Sequence, residues 1–167
     1  MQINVAQLLK SPIGTTRSYD IDEDIRLDDS EPRRVAGEVE LTRTHRGVLA
    51  RTRLNAVLML NCSRCLAVFE YPVMVEFEEE YVPAIDIASG VALPAPEDSS
   101  LFVIDEHHIL DLREAVRQNL LLAVPMKPLC RDLCEGICPG CGQNLNTGAC
   151  RCAREGIDPR WSGLTQP

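Results

Sequence analysis

Residues 48–77 read VLARTRLNAVLMLNCSRCLAVFEYPVMVEF, two alternating runs separated by a Cys-x-x-Cys step. In the first run Val48, Ala50, Thr52, Leu54, Ala56, Leu58 and Leu60 share one side, with Arg51, Arg53 and Asn55 opposite. In the second, Phe69, Tyr71, Val73, Val75 and Phe77 alternate with Glu70, Met74 and Glu76. Successive side chains of a strand point to opposite faces, so each run predicts a strand with one buried face. Upstream, Val39 and Leu41 alternate with Glu38, Glu40 and Thr42, and Thr44–Gly47 supplies a hairpin turn in which Gly offers positive φ. The three runs predict an antiparallel meander.

Strands paired around both turns must agree on the buried face, because a slip of one residue inverts every side chain. Pairing about the cysteines sets Leu54 opposite Val73, Leu58 opposite Phe69 and Arg51 opposite Glu76. Pairing about His45–Arg46 sets Leu41 opposite Ala50, with Glu40 and Glu38 opposite Arg51 and Arg53. The two turns give the same inner face, and the outer face carries a Glu–Arg–Glu ladder of cross-strand partners.

Outside the meander, Asn4–Lys10 has helical spacing that ends before Pro12. The acidic run Asp20–Glu31 reads as a solvated loop or strand edge. Residues 83–100, with three prolines, read as an irregular crossing segment, and Leu101–Ile104 as a short strand. Asp111 followed by Glu114 matches a capping box for a helix from Leu112 to about Ala123, whose Leu112, Ala115, Val116, Leu120 and Ala123 form one apolar face ending before Pro125. His107 and His108 read as solvent-facing residues. The expected architecture is therefore α+β: an antiparallel β-meander packed with one main helix, plus a small cysteine-rich zinc module at the C-terminus. Residues 1–125 form the body with its short N-terminal helix, and 126–167 form the module, which shares one site with the Cys62/Cys65 knuckle.

The eight cysteines come as close pairs: Cys62/Cys65, Cys130/Cys134, Cys138/Cys141 and Cys150/Cys152. A disulfide framework needs an export context, and Met1–Lys10 lacks a basic segment, an apolar run and a small-residue cleavage site. No stretch reaches the length of about 20 apolar residues that spans a bilayer. The chain reads as cytoplasmic, where reduced cysteine clusters usually mean metal. Two residues between cysteines let the backbone turn so that both sulfurs reach one zinc ion. Two sets of four thiolates, hence two zinc ions, are expected. Cys138/Cys141 with Cys150/Cys152 is the economical grouping, leaving Cys130/Cys134 for Cys62/Cys65. A rival grouping, Cys130/Cys134 with Cys138/Cys141, stays open, because spacing alone does not fix connectivity.

Four-thiolate sites leave no open position for substrate or water, and no nucleophile triad, phosphate loop or dinucleotide fingerprint is present. The chain is expected not to be an enzyme. The net charge of −8 is unevenly spread. Residues 35–66 hold five basic and two acidic side chains, and residues 67–125 hold two and twelve. A basic protein suits the acidic stretch, and a polyanion suits only the cysteine-bearing segments. The cations singled out as RNA contacts are Arg43, Arg46, Arg64, Lys127, Arg131, Arg151 and Arg154.

The string Cys62–Ser–Arg–Cys65–Leu66, then Asp111–Leu–Arg–Glu–Ala–Val–Arg–Gln–Asn–Leu120, Leu122–Ala–Val–Pro125–Met126–Lys–Pro128–Leu–Cys130 and Cys134–Glu–Gly136–Ile–Cys138–Pro–Gly–Cys141–Gly–Gln–Asn144–Leu–Asn146, resembles the large ribosomal RNA subunit accumulation protein family (YceD-like), which is bacterial and plastid. The resemblance runs from about Val35 to Cys152. It implies a role in synthesis, processing or stability of large-subunit ribosomal RNA, with all eight cysteines as metal ligands and no catalytic residues to carry over. The expected partner is the large ribosomal subunit precursor, through its RNA or a ribosomal protein, with no membrane and no DNA. Two other readings are a zinc-stapled protein–protein adaptor without RNA contact and a thiol redox switch.

Overall fold

The computed structural model describes residues 1–27, 32–94 and 101–152. In order the elements are β1 (Gln2–Asn4), α1 (Ala6–Leu9), β2 (Thr16–Ile25), β3 (Arg33–Arg43), β4 (Val48–Asn61), β5 (Val68–Pro83), β6 (Phe102–Ile104), β7 (Ile109–Asp111) and α2 (Arg113–Ala123). The main sheet has the order β2-β3-β4-β5-β6, with β6 parallel to β5, and β1 pairs with β7 in a separate two-stranded sheet. The chain divides into two compact units. Among the described residues, one holds those of 1–60 and 70–126, and the other those of 61–69 and 127–152.

The predicted meander is the centre of this sheet, not the whole of it. The acidic run from Asp20, read as a solvated loop or strand edge, is edge strand as far as Ile25 in β2: Tyr19, Ile21 and Ile25 keep the period of two, but Asp20, Asp22, Glu23 and Asp24 dilute it enough to leave a loop open. Pairing with β3 on one side buries Ile21 and Ile25, which suffices to hold an otherwise acidic strand. The two-stranded β1–β7 sheet was also unforeseen, its three-residue strands being too short to show a period. The N-terminal helix is shorter than its spacing suggested, a single turn at Ala6–Leu9.

The β3–β4 register follows the sequence reading, with Leu41 facing Ala50, Glu40 facing Arg51 and Glu38 facing Arg53. Around the cysteine turn the ion pairs differ from expectation. Arg51 Nε donates to Glu78 at 2.8 Å and Arg53 Nη2 to Glu76 at 2.6 Å, so Arg51 meets Glu78 where Glu76 was expected. A displacement of two residues keeps each side chain on its face, which is why burial patterns alone could not have revealed it. Val48, Ala50, Thr52, Leu54, Ala56 and Leu58 are buried as the alternation requires. Val48, Ala50, Leu54 and Ala56 join Val35, Val39, Leu41, Val75, Phe77 and Tyr81 in a core closed by Leu112 and by Ala115, Val116 and Leu120 of α2.

Gly47 ends the first hairpin, but not for the reason its position suggested. It is absent from the residues with positive φ. A Cβ there would lie 1.9 Å from the Tyr81 carbonyl oxygen, so glycine is required by close approach of two backbones.

The cap of α2 forms by half. Asp111 Oδ1 accepts the Arg113 backbone N–H at 3.0 Å, and Gln2 Nε2 donates to Asp111 Oδ2 at 3.1 Å. Glu114 does not return to the cap; it accepts from Arg117 and Gln118 along the helix. Burial opposes the Asp111 charge, but the Arg113 guanidinium, the Arg113 N–H and the Gln2 amide outweigh it and bring the carboxyl down to about 2. Asp111→Ala is expected to lower stability by about 1 kcal/mol, the usual worth of an N-cap. Because the folded pKa lies below the ordinary value of 3.8, that contribution is present above pH 4 and fades as pH falls toward 2. Thermal melts of both proteins should therefore converge at acid pH.

Candidate metal centres

Each Cys-x-x-Cys step folds into the same small hairpin. At Cys62–Cys65 the Leu66 N–H donates to the Cys62 carbonyl at 2.9 Å, and the Cys62 N–H to the Ala67 carbonyl at 2.9 Å. At Cys138–Cys141 the Gly142 N–H donates to the Cys138 carbonyl at 2.8 Å, and the Cys138 N–H to the Gln143 carbonyl at 2.8 Å. Both loops turn their sulfurs to one side and require a left-handed residue after the second cysteine, Leu66 at φ 60° and Gly142 at φ 74°. Glycine adopts that conformation without penalty, whereas a residue with a Cβ does so at a cost of about 1–2 kcal/mol. The first knuckle is flanked by β4 and β5, and the second by the single bridge between Ile137 and Asn144.

The eight sulfurs fall into two groups, Cys62, Cys65, Cys130 and Cys134, and Cys138, Cys141, Cys150 and Cys152. Within each, all sulfurs lie within 4.8 Å of one another. In the first group Cys62 Sγ is 3.7 Å from Cys134 Sγ, and Cys65 Sγ is 3.7 Å from Cys130 Sγ. Four sulfurs at about 2.3 Å from a zinc ion define a tetrahedron with edges of about 3.8 Å, so the cavity fits that ion. A disulfide would bring sulfurs to about 2.05 Å. In the second group Cys150 and Cys138 approach to 3.3 Å. No histidine belongs to either group among the described residues. His107 is exposed, and His108 is half-buried with φ 60° and lies in the other unit.

The groups differ in depth. Cys62, Cys65 and Cys134 are buried and form a small cluster with Ala67, Phe69 and Leu129, whereas Cys141 and Cys152 are exposed. Charge is unevenly distributed in both. Burial works against the Cys62 thiolate, but N–H groups of Cys130, Cys65 and Arg64 aimed at its sulfur bring the pKa down to about 6. The Cys141 N–H, the Cys150 thiol and the Gly140 N–H do the same for Cys138, also to about 6. Burial and the neighbouring sulfurs of Cys65, Cys134 and Cys62 push Cys130 up to about 12, and Cys141 and Cys138 push Cys152 to about 12. Like charges at one point cannot all ionise without a counter-charge. A divalent cation supplies it, and its binding releases the remaining thiol protons, so affinity falls as pH falls.

Spacing did not reveal the residues that orient the first group. Asn146 Nδ2 donates to Cys134 Sγ at 3.3 Å, its Oδ1 accepts the Glu135 N–H at 2.8 Å, and Arg131 Nε donates to the same oxygen at 3.0 Å. Burial opposes the Cys134 thiolate, yet Asn146 and the Gly136 N–H lower its pKa. From sequence Asn146 was legible only as part of an Asn/Gly-rich turn. Groups that hold metal ligands typically change metal affinity 10–100-fold when removed. Asn146→Ala should weaken the first site by about that factor in a competitive chelator titration, with the second site unchanged.

Several cations singled out as RNA contacts are engaged within the protein. Arg64 Nη1 donates to the Cys134 carbonyl at 2.9 Å, joining the two halves of the first group. Arg131 holds Asn146. Arg43, in the other unit, donates to the carbonyls of Leu9, Thr44 and Gly47 and ties the hairpin tip. Arg46 faces Glu80 at 3.7 Å and remains largely exposed. Lys127 and Arg151 are exposed. Arg154 lies outside the described residues.

The family described as "Large ribosomal RNA subunit accumulation protein YceD" matches residues 50–166, a span that takes in both cysteine groups. The chain belongs to this family. Among curated proteins, uncharacterized proteins of Mycobacterium bovis and Mycobacterium tuberculosis are 32% identical over 120 residues, covering 72% of this chain and 55% of theirs. One from Mycobacterium leprae is 27% identical over 118 residues, 71% of this chain and 52% of that protein. The chain thus spans about half the length of the curated relatives it matches. No solved structure matches it. No helix among the described residues is long and apolar enough to cross a membrane.

Proposed function

We propose that this chain is a non-enzymatic factor in large ribosomal subunit biogenesis, supporting the synthesis, processing or stability of large-subunit ribosomal RNA. Membership of the YceD family carries the reading. The two four-sulfur groups supply its physical form: a unit held by two zinc ions, each with all coordination positions filled by protein, presents a surface and performs no chemistry. In the cytoplasm of a bacterium this unit meets the precursor particle through Lys127 and Arg151, with Arg46 a further exposed cation. A tagged pull-down at low and moderate salt, with RNA, protein and metal all identified, tests it. The expected result is large-subunit precursor particles together with two zinc ions per chain.

One observation favours a second reading, a zinc-stapled adaptor that binds protein alone. The guanidinium groups of Arg43, Arg64 and Arg131 are directed to carbonyl groups, which takes up three of the six described cations singled out for RNA. Recovery of one protein without ribosomal RNA decides for the adaptor. A salt dependence steeper than simple screening decides for RNA.

A further inference from the structure

β2 is the outermost strand on its side of the sheet, and among the described residues no strand lies beyond it. Its outward groups can be assigned. The Arg43 N–H donates to the Thr15 carbonyl, and the β2–β3 register continues unbroken from Thr16↔Thr42 to Ile25↔Arg33. In an antiparallel pair, backbone groups alternate between facing the partner strand and facing away. The odd-numbered residues of β2 therefore bond to β3, and the N–H and C=O groups of Thr16, Ser18, Asp20, Asp22 and Asp24 point away from the sheet. The side chains of these same five residues are all exposed, while Ile21 and Ile25, on the opposite face, are buried.

An open edge of 10 residues with a free backbone row is a template for another strand. The aspartates decide which. A second copy of this chain would bring its own Asp20, Asp22 and Asp24 against them, and like charges across strands destabilise the pair. A cationic strand meets opposite charge at every second position. Asp22 already holds Arg34 of β3 through two bonds of 2.6 and 2.5 Å. Asp20 and Asp24 keep that face of the edge negative, whereas Glu23, on the other face, is paired with the N-terminal ammonium of Met1. The nearest opposing charges on adjacent strands are Arg33 and Arg34.

We propose that the β2 edge binds an extended peptide segment of a partner protein, with lysine or arginine at alternate positions, as an added strand of the main sheet. Backbone hydrogen bonds supply affinity and the alternate aspartates supply selection. This surface belongs to the unit without cysteines, so it stands whether or not the cysteine unit touches RNA.

The test uses the full chain and two synthetic peptides of ten residues and identical composition, one alternating lysine and threonine, the other with its lysines in one block. Fluorescence anisotropy should give about tenfold tighter binding of the alternating peptide, since only it places a cation across from each aspartate. On binding, the amide protons of Ser18, Asp20 and Asp22 should become protected from hydrogen exchange. Ser18→Pro removes one outward donor without touching the β2–β3 ladder, a position where an edge strand tolerates proline, and should lower affinity about tenfold at unchanged charge. The double variant Asp20→Asn/Asp24→Asn should lower it by about as much and flatten its salt dependence. Equal binding of the two peptides, or binding without new amide protection, overturns the proposal and leaves unspecific attraction to an acidic surface. If Ser18→Pro fails to fold, as circular dichroism would show, the double variant and the amide readout decide.

Discussion

Replacing Cys134 with serine is expected to lower bound metal from two equivalents to one and to unfold the part of the cysteine unit gathered around Cys62, Cys65, Cys130 and Cys134. Among its described residues that unit has no helix, and its only strand-like pairing beyond the ends of β4 and β5 is one bridge. Its buried cluster consists of three cysteines packed against Ala67, Phe69, Leu129 and Cys130. With so little apolar surface buried, metal binding is expected to supply the folding energy, as structural zinc does at about 10–16 kcal/mol of apparent binding at neutral pH. Loss of one thiolate leaves three ligands and a buried serine hydroxyl. Metal analysis should fall from two equivalents to one, and amide protection should vanish around Cys62 and Cys134. The unit built on β2–β5 and α2 has its own core and should keep its secondary structure. A chelator applied to the unmodified protein should act in two phases, first on the group containing exposed Cys141 and Cys152 and then on the buried one.

The second large effect is expected at Gly47. Alanine there places Cβ 1.9 Å from the Tyr81 oxygen and 3.0 Å from its carbon, both backbone atoms of a central strand. Neither can rotate away, so β3–β4 must separate from β5 locally, and Tyr81 is itself almost fully buried. The cost should exceed about 3 kcal/mol, at the far end of single-residue effects. Gly14→Ala is the control: nothing lies within 4 Å of its Cβ, and only a φ of 87° opposes it. That change should cost about 1–2 kcal/mol. Denaturant midpoints of the two variants, compared at constant m-value, separate collision between backbones from conformational strain.

The same contrast marks how far the sequence could be read. The central strands were legible because each buries one full face, which writes a period of two into β4 and the inner half of β5. β2 was legible only as a loop or strand edge, because an edge strand is held by one neighbour and needs only Tyr19, Ile21 and Ile25 to face inward. The helix α2 announced its apolar face, but its capping box promised a bond from Glu114 that Arg117 and Gln118 take instead. Gly47 was read as a turn residue from its neighbours in sequence, when its constraint comes from Tyr81, 34 positions away.

For the site, the sequence by itself determined that eight thiols occur in close pairs, two of them at the Cys-x-x-Cys spacing of a knuckle. Those are local properties, fixed by two to four consecutive residues. Which pairs come together was decided only by the tertiary structure, because it depends on where the chain returns after α2 to meet the β4–β5 turn. The same holds for Asn146, Arg64 and Arg131, whose polar side chains read as surface until the fold directs them onto a cysteine sulfur, a carbonyl or each other. Periodicity records which face a residue turns to the core. Only closure of the chain in three dimensions records which distant residue it meets there.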